Sequence, residues 1–254
     1  MNIRFDDKVV LVTGASTGIG AATAIEFGKC GASVIVNYKR SGEAAGKVVD
    51  TIRQSGGKAV AIQADVSHAD QVKSLVSETQ AAFNGKIDVL VNNAGSLLER
   101  RSLSEMSEDL WDNCFTLNAK SVFMVSQAVL PVMKKHNFGR IINVSSIAAR
   151  NGGGQGAGHY SAAKAAVSCY TKSMAKELAG SGITVNGVAP GIINTPFHSK
   201  FTSDELRENL RKNIPLGREG TAQEIAYTIL FLASTYSEYI IGEMVEINGG
   251  LLMD

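Results

Sequence analysis

Short uninterrupted apolar runs alternate with longer stretches of helical periodicity along this chain. Residues 9–12 read VVLV, 33–37 SVIVN, 59–63 AVAIQ, 87–91 IDVLV, 141–144 IINV, 183–188 ITVNGV and 243–247 EMVEI. Apolar runs of this kind suit strands covered on both faces. Between them the apolar positions fall three or four apart, as at Ala22 and Ile25, and predict helices. One helix stops at Gly31, a second covers 44–54 and ends at Ser55-Gly56-Gly57, and a third runs to about Phe83. Residues 110–136 form a long helical region, bent near Asn118 because an Asn amide competes for backbone groups. A further helix from Tyr160 continues over 165–179 and ends at Gly180-Ser181-Gly182. The helix over 221–234 opens with Thr221 and Glu224 in capping-box spacing. The alternation never breaks, and no linker, repeat or low-complexity segment interrupts residues 1–254. It predicts an α/β fold in one domain: a parallel sheet with helices on both faces.

Composition narrows the function classes. The 254 residues carry 25 Lys and Arg against 24 Asp and Glu, interspersed. That balance speaks against a basic nucleic-acid face or a polybasic membrane patch. Cys30, Cys114 and Cys169 are widely spaced and read as reduced packing residues. His68, His136, His159 and His198 lack ligand spacing, so no metal is expected. A first strand within ten residues of the start leaves no room for a signal peptide, and no apolar run would span a bilayer. A cytoplasmic, soluble protein is the expectation.

Candidate chemistry gathers where the predicted strands end. The first strand enters Thr13-Gly14-Ala15-Ser16-Thr17-Gly18-Ile19-Gly20 and then a helix. Glycines let a backbone approach a pyrophosphate, and a helix N-terminus supplies oriented N–H groups, so Gly14, Ser16, Thr17, Gly18, Ile19 and Gly20 form a candidate phosphate cradle. A plain tight turn is the alternative. After the second strand come Asn37, Tyr38, Lys39, Arg40 and Ser41, with no acid before Glu43. Two cations and a hydroxyl suit a ribose 2′-phosphate, which favours NADP(H) over NAD(H). Asp65, followed by Val66, is placed to accept from an adenine amino group or to cap the next helix. Asn92, Ala94 and Gly95 lie in the Asn-Asn-Ala-Gly after the fourth strand, and Pro190, Gly191, Ile193 and Thr195 follow the sixth. After the fifth come Ser145 and Ser146, a glycine-rich loop, and then Tyr160 and Lys164, four apart on one helix face. A neighbouring cation pulls a phenol pKa down, so Tyr160 is a candidate general acid or base. Ligands in such sheets bind at the carboxyl ends of the strands, where all of these motifs fall.

These motifs in this order resemble the short-chain dehydrogenase/reductase family along essentially the whole chain. The resemblance rests on TGASTGIG, Asp65-Val66, NNAG, Asn118, Ser146 with YSAAK, and the APG run ending in Thr195. It implies a Rossmann-type doubly wound sheet of seven parallel strands and a nicotinamide cofactor. It also implies Tyr160 as acid/base, with Lys164 lowering its pKa and holding the nicotinamide ribose. Ser146, usually the second serine of such a pair, would polarise the substrate oxygen. Asn118 would complete a proton relay, and Thr195 would bind the carboxamide.

Among subgroups the chain is similar to the 3-oxoacyl-carrier-protein reductases, which implies a carbonyl reduced to a secondary alcohol, or the reverse. Lys134, Lys135 and Arg140 offer a basic patch for an acidic carrier protein, although Ser181 stands where such reductases often carry a base. Sugar, small-ketone or cyclic-alcohol substrates are the alternatives, as is an inactive cofactor-binding regulatory protein. Arg100 and Arg101 read as solvated charges, His159 as a loop residue without special role, and residues 197–220 as a small helical lid. The GGGQGAG loop is slightly longer than expected for those reductases. The family resemblance implies a homotetramer.

Overall fold

Val10 and Val12 leave their strand on one side and Leu11 on the other, and all three are completely buried. The computed structural model, which describes residues 2–253, shows why. Its seven parallel strands form one sheet in the order β3-β2-β1-β4-β5-β6-β7. They are β1 (Val9–Val12), β2 (Ser33–Tyr38), β3 (Lys58–Gln63), β4 (Val89–Asn92), β5 (Gly139–Val144), β6 (Ile183–Pro190) and β7 (Met244–Ile247). The ends shift by a residue or two from the sequence reading, as strand ends commonly do.

Helices cover both faces. One core joins Val10, Val12, Val34 and Val36 to Phe27 of α1 (Gly18–Lys29), Ile52 of α2 (Gly42–Gln54) and Ile229 of α10 (Ala222–Ala233). The other joins Leu11, Ile35, Leu90 and Ile141 to Leu75 of α3 (Ala69–Ala82), Val129 of α5 (Ser121–Lys135) and Val167 of α7 (Gly158–Leu178). The capping box of α10 forms as its sequence predicts: Glu224 N–H donates to Thr221 Oγ1, and Thr221 N–H donates to Glu224 Oε2.

The long helical region divides into α4 (Glu108–Phe115), a π-helical turn (Thr116–Lys120) and α5. The expected bend at Asn118 is therefore a π turn, a geometry that interrupts the regular ladder and recurs at functional sites. Short α6 (Ala148–Asn151) follows β5, and the lid consists of α8 (Pro196–Phe201) and α9 (Asp204–Asn213). Because β3 and β4 lie on opposite sides of β1, the chain reverses direction across the sheet between β1 and β4. That switch point leaves a crevice at the carboxyl ends of the strands.

Candidate active site

Thr13 anchors the crevice. Its hydroxyl donates to Val91 O (3.3 Å) and accepts from the N–H groups of Asn93 (3.0 Å) and Ala94 (3.1 Å). Asn93 Nδ2 returns bonds to Thr13 O and Gly14 O. The two loops at the switch point are thus sewn together by Thr13 and Asn93, the first seen in the sequence only as part of the glycine motif. A Cβ on Gly20 would lie 2.5 Å from both Asn93 Nδ2 and Gly14 O, so glycine is required there by close approach. Thr17 precedes α1 in extended conformation with no side-chain cap, which leaves the first-turn N–H groups facing the crevice. Thr195 folds over this loop, 3.6 Å from the position of a Gly18 Cβ. Gly14, Ser16, Thr17, Gly18 and Ile19 thus form one open loop at the start of α1, with Thr195 beside it.

Several expected contacts turn inward instead. The Asn37 side chain is buried, accepting from Gly14 N–H (3.2 Å) and donating to Ile62 O and Ala64 O. It shapes the cradle from behind. Asn92 donates to Ser126 Oγ (3.0 Å) and Asn143 Oδ1 (2.9 Å), tying β4 to β5 and α5. The side chains of Val66 and Ile193 belong to the core, so these residues meet the crevice through backbone only. Pro190 ends β6, and Gly191 N–H bonds Ile247 O.

Asp65 is committed to its own neighbourhood. Its Oδ1 accepts from Ser67 Oγ (2.6 Å) and N–H (3.0 Å), and its Oδ2 pairs with Lys39 Nζ at 2.5 Å. Burial alone would raise its pKa, but the bonds from Lys39 and Ser67 outweigh it and hold the carboxyl below its ordinary range. Of the two cations after β2, Lys39 is thus partly neutralised, while Arg40 is exposed and Tyr38 and Ser41 flank it.

Ser145 and Ser146 separate cleanly. Ser145 Oγ bonds Lys164 O (2.9 Å) and Ser168 Oγ (2.8 Å) and serves the structure. Ser146 Oγ, fixed by Ala148 N–H at 3.1 Å, lies near enough to the Tyr160 phenol to favour its ionised form. Lys164 is buried, donates to Val144 O (2.8 Å) and lies 5.7 Å from the centre of the Tyr160 ring. A Cβ on Gly95 would stand 3.1 Å from Lys164 Nζ and 2.6 Å from Asn118 Oδ1, so only backbone fits between them. Asn118 is itself held: Nδ2 donates to Ser96 O (2.8 Å) and Cys114 O (2.9 Å), and Oδ1 accepts from Ser96 N–H (3.0 Å).

The electrostatics correct one expectation. Lys164 does not lower the Tyr160 pKa here; burial pushes the phenol up to about 12 against the Ser146 bond. Burial likewise brings Lys164 down to about 8. The phenol is a proton donor across the physiological range, beside a lysine that is still cationic at neutral pH. Cys114, next to Asn118, is pushed up to about 11 by burial and is an inert thiol.

The comparisons agree with this geometry. A family model described as Enoyl-(Acyl carrier protein) reductase matches residues 14–252. A 3-oxoacyl-(acyl-carrier-protein) reductase of Staphylococcus aureus is 44% identical over 246 residues, covering 97% of this chain and 98% of that one. The chain belongs to the short-chain dehydrogenase/reductase family. It is an oxidoreductase of that family, acting on CH–OH groups, and the likeness supports a nicotinamide cofactor. A solved 7α-hydroxysteroid dehydrogenase, complexed with NADH and 7-oxo glycochenodeoxycholic acid, superposes with a TM-score of 0.93 at 34% identity, covering 98% of this chain and 96% of that one. An NADH-dependent reductase, A1-R′, described as responsible for alginate metabolism, gives 0.89 at 34% identity and covers 98% of each chain.

Three segments meet beside Tyr160 and wall the crevice: the loop after Gly95, the glycine-rich loop 152–158 and the lid. Phe197 of the lid lies 5.7 Å from Tyr160 between ring centres and packs on Phe201 at 5.1 Å. His159, expected to be an unremarkable loop residue, is completely buried and its Nε2 meets Leu97 O at 2.9 Å. Leu97 O also accepts from Glu99 N–H (2.9 Å), closing a tight turn with Leu98 at φ 64°. That is a strained conformation for a leucine, and it is fastened from both sides by Asn118 and His159. Arg140 is a second correction. It is buried, bonded to Gly139 O and Glu238 Oε1, and contributes nothing to a surface patch with Lys134 and Lys135. Among the described residues no helix is long and apolar enough to cross a membrane, and no cluster of His, Cys, Asp or Glu is arranged to hold a metal ion.

Proposed function

We propose that this protein is an NADP(H)-dependent carbonyl reductase whose substrate is a 3-oxoacyl thioester, reduced to the 3-hydroxy product. The observation that carries the chemistry is the buried Lys164 ammonium standing beside the Tyr160 ring and, across Gly95, beside Asn118. The substrate class is supported by 44% identity to a 3-oxoacyl-(acyl-carrier-protein) reductase over nearly the full length. The preference for NADP(H) is supported by Arg40 and Ser41 and by the lack of an acid between β2 and Glu43. Gly14, Ser16, Thr17, Gly18, Ile19 and Gly20 would hold the pyrophosphate. Ala94 and Gly95 would lie against the nicotinamide end, Tyr160 and Lys164 would hold its ribose, and Thr195 its carboxamide.

The bound cofactor supplies the hydride that the carbonyl carbon receives. The side chains do the rest. Ser146 and Tyr160 hydroxyls point at the carbonyl oxygen and stabilise the negative charge that develops there. Tyr160 then delivers its proton. Asn118, held in its π turn, completes the path by which the proton is replaced.

A second reading, a cyclic ketone or alcohol as substrate, is favoured by the close superposition on the hydroxysteroid dehydrogenase. Following NADPH oxidation against acetoacetyl thioesters, cyclic ketones, diketones and aldoses tests both. Turnover fastest on the thioesters supports the first, fastest on a cyclic ketone the second, and NADPH binding without any turnover points to a regulatory protein. The exposed Trp111, Phe123 and Tyr239 and the edge strand β7 support a homotetramer, which light scattering tests; a clean monomer contradicts it.

A further inference from the structure

Arg100 does not behave as the solvated charge its sequence suggests. It is half-buried where all three substrate walls meet. Nε donates to Phe201 O (2.8 Å) at the end of lid helix α8, and Nη1 donates to Gln155 O (2.8 Å) in the glycine-rich loop. Arg100 itself belongs to the loop fastened by Asn118 and His159. Phe201, whose carbonyl Arg100 holds, packs on Phe197, which packs on the catalytic Tyr160.

Its charge is uncompensated. Glu99 pairs with Arg101, and Glu219 is held by Arg207 through two bonds, at 2.9 and 2.5 Å. No carboxylate among the described residues lies within ion-pair distance of Arg100, whose bonds go only to carbonyl oxygens. Nη2 carries two further donors with no hydrogen-bond partner among the described residues. Burial, helped by the smaller effects of Arg207 and Arg100, holds the neighbouring His198 of the lid below its ordinary pKa despite Glu219. A half-buried guanidinium without a counter-charge carries a desolvation cost that a bound anion would relieve.

We propose that Arg100 binds an anionic group of the substrate, a carboxylate or a phosphate, at the outer end of the cleft, and so selects carbonyl compounds that carry one. Planar donors fixed by two carbonyl bonds match either oxyanion. The proposal rests on the reading of the cleft as a carbonyl-reducing site and names its substrate class.

The test compares Arg100→Gln and Arg100→Lys with the unchanged protein on two matched pairs. One is acetoacetyl-coenzyme A against the neutral acetoacetyl-N-acetylcysteamine thioester; the other is a 3-oxo dicarboxylic acid monoester against its neutral diester. Arg100→Gln should lower kcat/KM at least about tenfold, through KM, on the anionic member of one pair and less than about twofold on its neutral partner. The affected pair identifies the anion as phosphate or carboxylate, and Arg100→Lys should restore part of the discrimination. Equal losses on both members, or no loss on either, would overturn the proposal and leave Arg100 as a strut between lid and loops. Calorimetry with 4′-phosphopantetheine and with glutarate, in saturating NADPH, reads the site without turnover. Binding of one probe that is lost in Arg100→Gln supports the proposal, and binding of neither contradicts it. If the unchanged protein reduces none of the four substrates, the reading of the cleft fails, and calorimetry alone decides Arg100.

Discussion

The cradle at the end of β1 and the substrate walls around Arg100 are held in different ways. In the cradle, one hydroxyl, Thr13 Oγ1, takes part in three bonds to β4 and its loop, and a methyl added at Gly20 would meet atoms at 2.5 Å. Its parts are the ends of adjacent strands in a fully buried sheet, and they have nowhere to move. The walls are two irregular loops and a helical lid held by a handful of bonds: His159 to Leu97, Arg100 to Phe201 and to Gln155, and Arg101 N–H to Gly156 O. The cradle and the catalytic residues are fixed by the fold. Selectivity is left to loops whose arrangement depends on a few long side chains.

That contrast can be broken in order of effect. Tyr160→Phe should lower turnover about 10²–10⁴-fold, the usual worth of a positioned proton donor, while NADPH affinity measured by fluorescence stays nearly unchanged. Gly20→Ala should raise the NADPH dissociation constant and cost about 1–3 kcal/mol of stability in denaturant titration, because its Cβ meets backbone and an engaged amide. If Gly20→Ala binds NADPH normally, the cradle is looser than described. Arg40→Ala should reduce the kcat/KM preference for NADPH over NADH about tenfold, the worth of one lost charge-assisted bond. Lys39→Ala should do less, since Lys39 is already paired with Asp65. A larger effect at Lys39 would reverse that assignment.

The smallest effect is on stability against pH. Lys164 is depressed to about 8 from 10.5, so the unfolded chain holds more protons between those values and stability rises with pH across that window. Tyr160 is raised to about 12 from 10, so the folded chain holds more protons there and stability falls as pH climbs from 10 to 12. Cys114, raised to about 11 from 9, makes stability fall between those values and cancels the Lys164 rise there, so denaturation midpoints should level off between about pH 9 and 10 and fall above it, and Tyr160→Phe should make that fall shallower.

Much of this was legible in the residues. Unbroken apolar runs gave the parallel sheet because both of its faces are buried, and the glycine spacing, Asn118, Ser146, Tyr160 and Lys164 come together in the crevice as read. What misled was the direction of side chains. Asn37 lies near the end of β2, where alternation sends every second residue to the same face, and its side chain found buried partners. The Tyr160–Lys164 spacing was read correctly, but the depth of the pocket, which decides the direction of both pKa values, is a property of the whole fold. Arg100, Arg140 and His159 were unreadable for the same reason. Their partners lie dozens of residues away in sequence, on segments with no period to betray them.

The most direct test of the central reading is single-turnover reduction with NADPH carrying deuterium at its transferable position, using acetoacetyl-N-acetylcysteamine as acceptor. The account predicts one deuterium on the carbinol carbon of the 3-hydroxy product for each NADPH consumed, and no product on the same timescale with Tyr160→Phe. Deuterium-free product, or equal product from the Tyr160→Phe variant, would contradict it.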